Sequence, residues 1–284
     1  MVEVGGALRA YSVGDRDLLD GYGEHEMCSV ARGQSLIPWP NRLRDGSYEF
    51  AGERYQLPLT EPAQGNAIHG LIRWVNWTIA QHEAAQARME YLLHPQDGYP
   101  FALALAIEYG LDEGGLTVRT SATNVGERPC PYGAGAHPYL TAGTDRIDNC
   151  RLRAPGGKWM RTDERAIPTG EEAVDGTEYD FRGPREIGSV ELDTGYSDLE
   201  RGADGLARVQ LTAPGGAGVA LWQDESYQYL MLFTGDSIPQ ADRRRRGLGV
   251  EPMTCAPNAF QSGDGLHTLE PGETFSSAWG LSPT

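Results

Sequence analysis

Apolar residues in this chain alternate with polar ones over many short runs, and glycine or proline separates the runs. The clearest run contains Phe101, Leu103, Leu105, Ile107 and Tyr109, each two residues after the last. Alternation with period two places apolar side chains on one face of a β-strand, whereas an amphipathic helix needs apolar residues three or four apart. The pattern therefore predicts strands that bury one face.

A hairpin and several further strands are predicted in the same way. Tyr48 and Phe50 precede, and Tyr55 and Leu57 follow, the turn-like segment 51–53. Similar patterns predict strands around Val75, Trp77 and Ile79 and over residues 116–123, 209–212, 219–222, 229–234 and 274–279. Residues 84–88 favour a helix but are too few to offset the cost of helix nucleation, so a polar loop is expected there.

The distribution of glycine and proline argues for one domain made of many strands. The 37 glycines and 18 prolines of the 284 residues lie between the runs and are not gathered in a linker or low-complexity block. These residues favour turns, and no fixed-period repeat or shift of composition divides the chain. We therefore predict a single all-β domain over residues 1–284.

The charge balance excludes some classes of partner. The chain carries 24 Lys and Arg against 40 Asp and Glu, a formal net charge of −16, so nucleic acid and anionic membrane surfaces are not expected to bind it. No run approaches the roughly 20 apolar residues that span a bilayer, and residues 1–4 have neither a basic start nor an apolar signal core. A cytoplasmic protein, monomeric or homodimeric, is expected.

The four cysteines do not have the spacing of a metal or redox centre. They are Cys28, Cys130, Cys150 and Cys255, and no two of them form a CxxC pair. Buried free thiols are predicted in preference to disulfides. The arginine run at residues 243–246 is interpreted as a solvated loop tip between strands, with a specific anion site as the alternative.

Two of the six histidines have a sequence context suited to ligand binding. His69 precedes Gly70, and His137 follows the glycine- and alanine-rich segment 133–136; glycine near an imidazole lets a ligand or the backbone approach closely. In residues 38–42, Trp39 is suited to stacking on a sugar face, and the amide and guanidinium that follow it are suited to donating to hydroxyls. The other histidines, at positions 25, 82, 94 and 267, are expected at the surface.

Five short motifs occur in a fixed order along the chain. They are Pro40-Asn41-Arg42 followed by Asp45-Gly46, His69-Gly70, His137-Pro138-Tyr139, Asp193 in an Asp-x-x-aromatic context, and Glu251-Pro252. In this order, and over a range from about Gly5 to Leu281, the set resembles the aldose 1-epimerase (galactose mutarotase) family. The resemblance implies that family's fold, a large antiparallel β-supersandwich, in agreement with the predicted strands.

The resemblance also implies a role for each matching residue. His137 would be the general acid that protonates the ring oxygen of a sugar, and Glu251 the general base that takes the proton of the anomeric hydroxyl. Arg42, His69 and Asp193 would bind the sugar hydroxyls and the ring oxygen. Because Asp198 lies five residues after Asp193, a different register would place Asp198 at the sugar instead.

The chemistry explains why one acid and one base are needed. Opening a cyclic hemiacetal removes a proton from the C1 hydroxyl and delivers one to O5. A positioned acid and base each contribute about 10²–10⁴-fold to such a step. With unperturbed pKa values of about 4.3 and 6.5, an ionised glutamate and a protonatable histidine can coexist near neutral pH. No cofactor, metal or covalent intermediate is required.

Three readings follow for the function. The first is a mutarotase that interconverts the α and β anomers of a free aldohexose; the second is a hexose-6-phosphate 1-epimerase in which Arg44, Arg73 or the run 243–246 recognises the phosphate. The third is a non-catalytic carbohydrate-binding module. A glycosidase is disfavoured because it needs two carboxylates across the scissile bond.

Departures from the family pattern bear on the choice of sugar. Leu140 follows Tyr139 where many members have an aromatic residue, and Thr194 follows Asp193 where a histidine is frequent. Met231 occupies a position where some relatives have a polar sugar ligand, so any sugar contact there is expected to be apolar.

Overall fold

Strands make up nearly all of the regular secondary structure, as the alternation predicts. The computed structural model describes residues 1–284. In chain order the first strands are β1 (Ser12–Val13), β2 (Arg16–Asp17), β3 (Ser35–Leu36), β4 (Arg42–Arg44), β5 (Ser47–Phe50), β6 (Glu53–Gln56), β7 (Asn66–Ile68), β8 (Thr78–His82), β9 (Gln86–Leu93), β10 (Leu103–Asp112), β11 (Gly115–Asn124) and β12 (Cys130–Tyr132).

The remaining strands are β13 (Gly135–Ala136), β14 (Tyr139–Leu140), β15 (Arg151–Arg153), β16 (Gly156–Thr162), β17 (Pro168–Ala173), β18 (Arg185–Glu186), β19 (Asp193–Leu199), β20 (Ala207–Thr212), β21 (Gly218–Gln223), β22 (Tyr229–Phe233), β23 (Leu248–Met253), β24 (His267–Leu269) and β25 (Thr274–Pro283). A 3₁₀ turn spans Ala241–Arg243, and the one α-helix, α1, spans Ala259–Ser262. No helix has the length and apolar character needed to cross a bilayer.

Two large antiparallel sheets organise the molecule. The first has nine strands in the order β18-β15-β20-β21-β25-β11-β10-β9-β8. The second has eight, in the order β17-β16-β19-β22-β23-β13-β3, with β14 also paired to β23. Four two-stranded sheets complete the fold, namely β1-β2, β12-β24, β4-β7 and β5-β6. The predicted all-β class with a large antiparallel sandwich is confirmed.

The two large sheets share one hydrophobic core. A cluster of 50 buried residues includes Leu105 and Trp279 from the first sheet and Leu230 and Val250 from the second. Burial alternates along β20, where every second residue is buried. This is the pattern that a strand with one face in the core must have. The alternating runs are therefore the inner faces of the sheets.

Most of the predicted strands are present, with two differences. Val75 and Trp77 precede β8, so only the last part of that prediction lies in a strand. Residues 84–88, expected to form a loop, lead directly into β9, which pairs with β8 and β10 along its length. Alanine, glutamine and arginine in this segment favour helix locally, and cross-strand pairing overrides that preference.

Other predictions from single residues have mixed outcomes. All four cysteines are free and buried, as predicted. The arginine run is solvated only in part: Arg244 and Arg246 are exposed as predicted, whereas Arg245 is 5% exposed and forms ion pairs with Asp148 and Asp236 at 2.8 and 2.9 Å. His267 is half-buried and not fully solvated, and its ring centroid lies 4.1 Å from that of Phe275.

Candidate active site

Strand β23 carries Glu251 into the centre of the eight-stranded sheet. The strand lies between β22 and β13 and is buried over its whole length. Glu251 pairs in register with Met231, and Gly249, two residues earlier on the same face, pairs with Phe233 and Tyr139. Side chains at paired positions point to the same side of a sheet. Glu251 therefore lies on the same face of the sheet as Phe233 and Tyr139, which line a cavity.

Strand β19 adds Asp193 to that face. Asp193 pairs with Phe233 of β22. Because side chains alternate along a strand, Asp198 has the opposite parity to Asp193, and it packs instead beside Gly157 of β16. The structure thus places Asp193 at the cavity and Asp198 away from it.

A tight backbone approach holds His69 in place. Gly70 has φ +69°, and a Cβ there would lie 2.0 Å from the carbonyl oxygen of Ile37, so only glycine fits. His69 itself has φ 63° and donates its backbone N–H to the Asn41 carbonyl at 3.0 Å. Gly70 of the His-Gly motif is therefore required by the turn that positions His69.

The imidazole of His69 has a defined protonation pattern. The backbone N–H of Asn41 donates to its Nδ1 at 3.1 Å, so Nδ1 carries no proton. Burial lowers the pKa of His69 well below its usual value, which keeps the ring neutral. The remaining proton must then be on Nε2, and His69 is a hydrogen-bond donor through that atom.

His137 and Glu251 form the closest acid and base pair at the site. The Nε2 atom of His137 lies 3.3 Å from Oε1 of Glu251, and the two side chains are 6% and 3% exposed. The His137 ring stacks on Tyr139 with centroids 5.0 Å apart and meets the His69 ring edge-on at 5.3 Å. Neither Nδ1 of His137 nor Oε2 of Glu251 has a protein partner.

Arg42 connects the small β4-β7 sheet to the large one. Its Nε and Nη2 atoms donate to Glu61 at 2.9 and 3.1 Å, a two-point contact that fixes the plane of the guanidinium. Its Nη1 lies 3.7 Å from Asp193, whose side chain is 45% exposed at the mouth of the cavity. Arg42 is therefore oriented by two carboxylates.

These residues surround a single cavity of about 510 Å³. Arg42, His69, His137, Asp193 and Glu251, which the sequence indicated one by one, all line it. Other lining residues had no clear sequence signal, and they include Val30, Ala31, Glu61 and Phe233. A larger cleft of about 710 Å³ is lined mainly by loop residues and contains no histidine.

Two residues expected to contact a sugar lie elsewhere. Trp39 is 3% exposed and packs against Phe260 at 5.6 Å between ring centroids, so it belongs to the core and not to the cavity. Met231 is 4% exposed and does not line the cavity, although it is next to Glu251 across the sheet. The apolar side chain that β22 presents to the cavity is Phe233.

Burial controls the protonation of the acid and base pair. Burial, reinforced by Asp193 and opposed by Arg42, raises the pKa of Glu251 from 4.5 to about 8. Burial, together with the positive charges of Arg32 and Arg73, lowers the pKa of His137 from 6.5 to about 3. The expectation of an ionised glutamate beside a protonatable histidine is therefore wrong for the free protein. Near neutral pH the pair holds one proton and has no net charge.

His69, His137 and Glu251 together provide the same types of ligand atom as some metal sites. Their ligand atoms lie within 4.8 Å of one another, and two histidines with one glutamate can bind zinc. A ligating histidine normally donates its second N–H to a carbonyl or carboxylate. His69 instead accepts the N–H of Asn41, which leaves a proton on the nitrogen that would have to bind the metal. The arrangement fits hydrogen bonding better than metal binding.

Comparisons with known proteins agree with the geometry. The family model for aldose 1-epimerase matches residues 1–282. Protein YihR of Escherichia coli, described as uncharacterized, is 34% identical over 275 residues, which cover 96% of this chain and 86% of YihR. Human galactose mutarotase is 30% identical over 155 residues, which cover 52% of this chain and 44% of that protein.

Solved structures show the same fold at low sequence identity. The aldose epimerase homologue of Caenorhabditis elegans superposes with a TM-score of 0.87 at 17% identity, over 99% of this chain and 94% of that one. The galactose 1-epimerase of Lactobacillus acidophilus superposes with a TM-score of 0.82 at 21% identity, over 99% of this chain and 89% of that one. With a family match over almost its whole length, this chain belongs to the aldose 1-epimerase family.

Proposed function

We propose that this protein is an aldose 1-epimerase that interconverts the α and β anomers of an aldohexose. The observation that carries the proposal is the 3.3 Å separation of His137 Nε2 from Glu251 Oε1 at the base of a cavity. The two oxygens that must exchange protons, O1 and O5, are bonded to the same carbon of the sugar. A donor and an acceptor one hydrogen-bond length apart can therefore reach both at once.

The shared proton of the pair suits this reaction. Transfer of that proton from Glu251 to His137 along their contact gives a carboxylate and an imidazolium without changing the net charge. Glu251 then takes the proton of the C1 hydroxyl while the C1–O5 bond breaks. The electron pair of that bond goes to O5, which takes a proton from His137 Nε2.

The pair returns to its starting state in the same step. Glu251 again carries a proton and His137 is again neutral, and the product is the open-chain aldehyde. Rotation about the C1–C2 bond presents the other face of the carbonyl, and the transfers run in reverse to form the other anomer. Ring opening and ring closure both begin from the uncharged pair of His137 and Glu251. Burial favours the uncharged pair, so it is suited to both reactions.

The remaining polar residues would hold the sugar against the pair. Nε2–H of His69 is a donor, Arg42 supplies guanidinium N–H groups, and Asp193 is an acceptor at the mouth. Phe233 gives the cavity an apolar surface for the C–H groups of a pyranose ring. A cyclic polyol with one hydrophobic face matches this combination.

Exchange between anomers tests the proposal directly. Mixtures of α and β anomers of glucose, galactose and other aldoses are followed by magnetisation-transfer NMR with and without protein. Faster exchange for at least one aldose, lost in His137→Asn, is the expected result. Saturable sugar binding with no faster exchange would identify a carbohydrate-binding module and contradict the proposal.

A further inference from the structure

The guanidinium of Arg42 reaches the cavity with one nitrogen atom unused. Nε and Nη2 donate to Glu61 at 2.9 and 3.1 Å, whereas Nη1, 3.7 Å from Asp193, makes no hydrogen bond within the protein. Because a guanidinium is planar, fixing two of its nitrogen atoms also fixes the direction of the third. Glu61 therefore sets where the free N–H groups of Arg42 point.

Glu61 is itself held by the loop that precedes β7. Its backbone N–H donates to the Asn66 carbonyl at 2.9 Å, and the Asn66 N–H donates to the Glu61 carbonyl at 3.2 Å. The Asn66 side chain adds a third contact, since its Nδ2 donates to Oε2 of Glu61 at 3.2 Å. Asn66 thus fixes both the backbone and the side chain of Glu61.

Asn66 is in turn held by Arg165, a residue far away in the sequence. Arg165 lies in the turn between β16 and β17, at the edge of the eight-stranded sheet. Its carbonyl accepts the second proton of Asn66 Nδ2 at 3.0 Å, and its Nη2 donates to Asn66 Oδ1 at 3.4 Å. Asn66 is fully buried, so its amide needs such partners within the protein.

The guanidinium of Arg165 also closes this loop from the outside. Its Nε donates to the Gln64 carbonyl at 2.7 Å, and its Nη2 donates to the Gly65 carbonyl at 2.6 Å. The same Nη2 pairs with Asp45, in the turn after β4, at 2.8 Å. Arg165 therefore fastens one end of the small β4-β7 sheet to the turn between β16 and β17.

We infer that Arg165 is a positioning residue for the sugar, which acts on Arg42 through Asn66 and Glu61. The inference rests on the proposed epimerase function and adds a residue to its binding machinery. Arg165 does not line the cavity, so its influence on a sugar must pass through its neighbours. Three consecutive hydrogen bonds, of 3.0, 3.2 and 2.9 Å, connect its carbonyl to the Arg42 guanidinium.

The expected benefit is that a flexible side chain is ordered before the sugar arrives. An arginine that is free to rotate must lose that freedom when it binds, which weakens binding by about 3- to 10-fold for one long side chain. The hydrogen bonds from Arg165 order Glu61 and Arg42 in advance. Removing Arg165 should therefore weaken sugar binding and leave His137 and Glu251 in place, because neither belongs to this network.

A purely structural role predicts a different result. If Arg165 only stabilised the β4-β7 sheet, its loss would affect the sugar equally with and without the guanidinium of Arg42. If Arg165 acts through Arg42, its loss matters only while that guanidinium is present. A double-mutant cycle separates the two cases because it isolates the coupling between two residues.

The experiment measures anomer exchange of galactose and glucose by NMR. Wild type, Arg165→Met, Arg42→Met and the double variant are compared. We expect Arg165→Met to lower kcat/KM by about 3- to 10-fold, chiefly through KM. In the Arg42→Met background the same substitution should change kcat/KM by less than about twofold. Equal losses in both backgrounds would contradict the inference.

Two further variants locate the effect in the hydrogen bonds of Arg165. Arg165→Lys keeps the charge but has one nitrogen atom in place of three, so it should restore only part of the loss. Arg161→Met is the matched control on β16, since Arg161 is exposed, pairs with Glu172 at 2.9 Å and lies outside the cavity. It should leave KM unchanged.

A measurement without substrate tests the path to Arg42 by itself. Relaxation of ¹⁵N at Arg42 Nε reports how well the side chain is ordered on the picosecond-to-nanosecond timescale. The order parameter should fall in Arg165→Met and stay unchanged in Arg161→Met. An unchanged order parameter in Arg165→Met would contradict the inference. If Arg165→Met does not fold, Arg165→Lys takes its place, with a smaller change expected.

The two proposals fail in distinguishable ways. If wild type accelerates exchange for no aldose, the epimerase function is contradicted, while a lower order parameter of Arg42 in Arg165→Met would still support the path from Arg165. If wild type accelerates exchange and Arg165→Met has an unchanged KM, the epimerase function stands and the positioning role of Arg165 is contradicted.

Discussion

Replacing Glu251 by glutamine is expected to make the protein more stable while it removes the proposed catalytic base. Glu251 is 2% exposed, its Oε2 has no partner, and burial raises the pKa of the carboxyl group from 4.5 to about 8. In the unfolded chain the group ionises above pH 4.5, whereas in the folded protein it keeps its proton up to about pH 8. The folded state binds the extra proton, so stability falls as pH rises through this window.

The size of the effect follows from the width of the window. Between pH 4.5 and about 8, each pH unit lowers the free energy of unfolding by about 1.4 kcal/mol. The accumulated loss is less than about 1 kcal/mol at pH 5 and roughly 3 kcal/mol at pH 7. Glutamine does not ionise and fills nearly the same volume, so Glu251→Gln removes this cost.

Chemical denaturation at several pH values measures the stability cost of burying Glu251. Wild type and Glu251→Gln are unfolded in urea at pH 5, 6, 7 and 8, and the difference in the free energy of unfolding is compared at each. The variant should gain stability relative to wild type as pH rises. Glu113→Gln, in an exposed turn between β10 and β11, is the control and should show no such trend. A pH-independent difference, or a variant less stable at pH 8, would show that burial does not raise the pKa of Glu251.

Three further predictions follow from the geometry. Above pH about 8 the free enzyme loses the proton shared through Glu251, so kcat/KM for anomer exchange should fall about tenfold per pH unit; a flat profile to pH 10 would contradict it. Arg245→Met leaves Asp236 without an ion-pair partner and leaves Asp148 with Arg146 alone, so it should cost about 2 kcal/mol in urea unfolding, with kcat of the folded protein unchanged. A loss below about 0.5 kcal/mol would show that the ion pairs are weak. Because the Asn41 N–H occupies Nδ1 of His69, EDTA should not change the exchange rate and zinc should not raise the melting temperature; a loss of activity on chelation, restored by zinc, would overturn the assigned tautomer.

The strands were accessible from the sequence because period two is a local property. The run from Phe101 to Tyr109 lies largely in β10, and the apolar residues of the run are the buried ones. Strand β9 was missed because its first residues have good helix propensity, and only its pairing with β8 and β10 makes it a strand. The sequence of one segment does not predict which distant strand it pairs with.

The sequence predicted which residues line the candidate site but not how they are arranged. Family motifs indicated Arg42, His69, His137, Asp193 and Glu251, and the cavity brings the five together. The choice between Asp193 and Asp198 needed the register of β19, because one residue of offset moves a side chain to the other face.

Properties set by non-local packing could not be predicted. Glu61, which orients Arg42, has no distinctive sequence context. The protonation of the His137 and Glu251 pair depends on burial by several strands, and unperturbed pKa values gave the wrong state. The buried Nε of Arg73, which has no hydrogen-bond partner, is likewise a feature of the folded molecule alone.

The joint action of His137 and Glu251 is tested by the anomer-exchange rates of four proteins on the best aldose: wild type, His137→Asn, Glu251→Gln and the double variant. If the two side chains act as one proton-transferring pair, each single variant should lose at least about 100-fold in kcat, and the double variant should be little worse than either single one. Full activity in either single variant, or losses that multiply in the double variant, would contradict the pair mechanism.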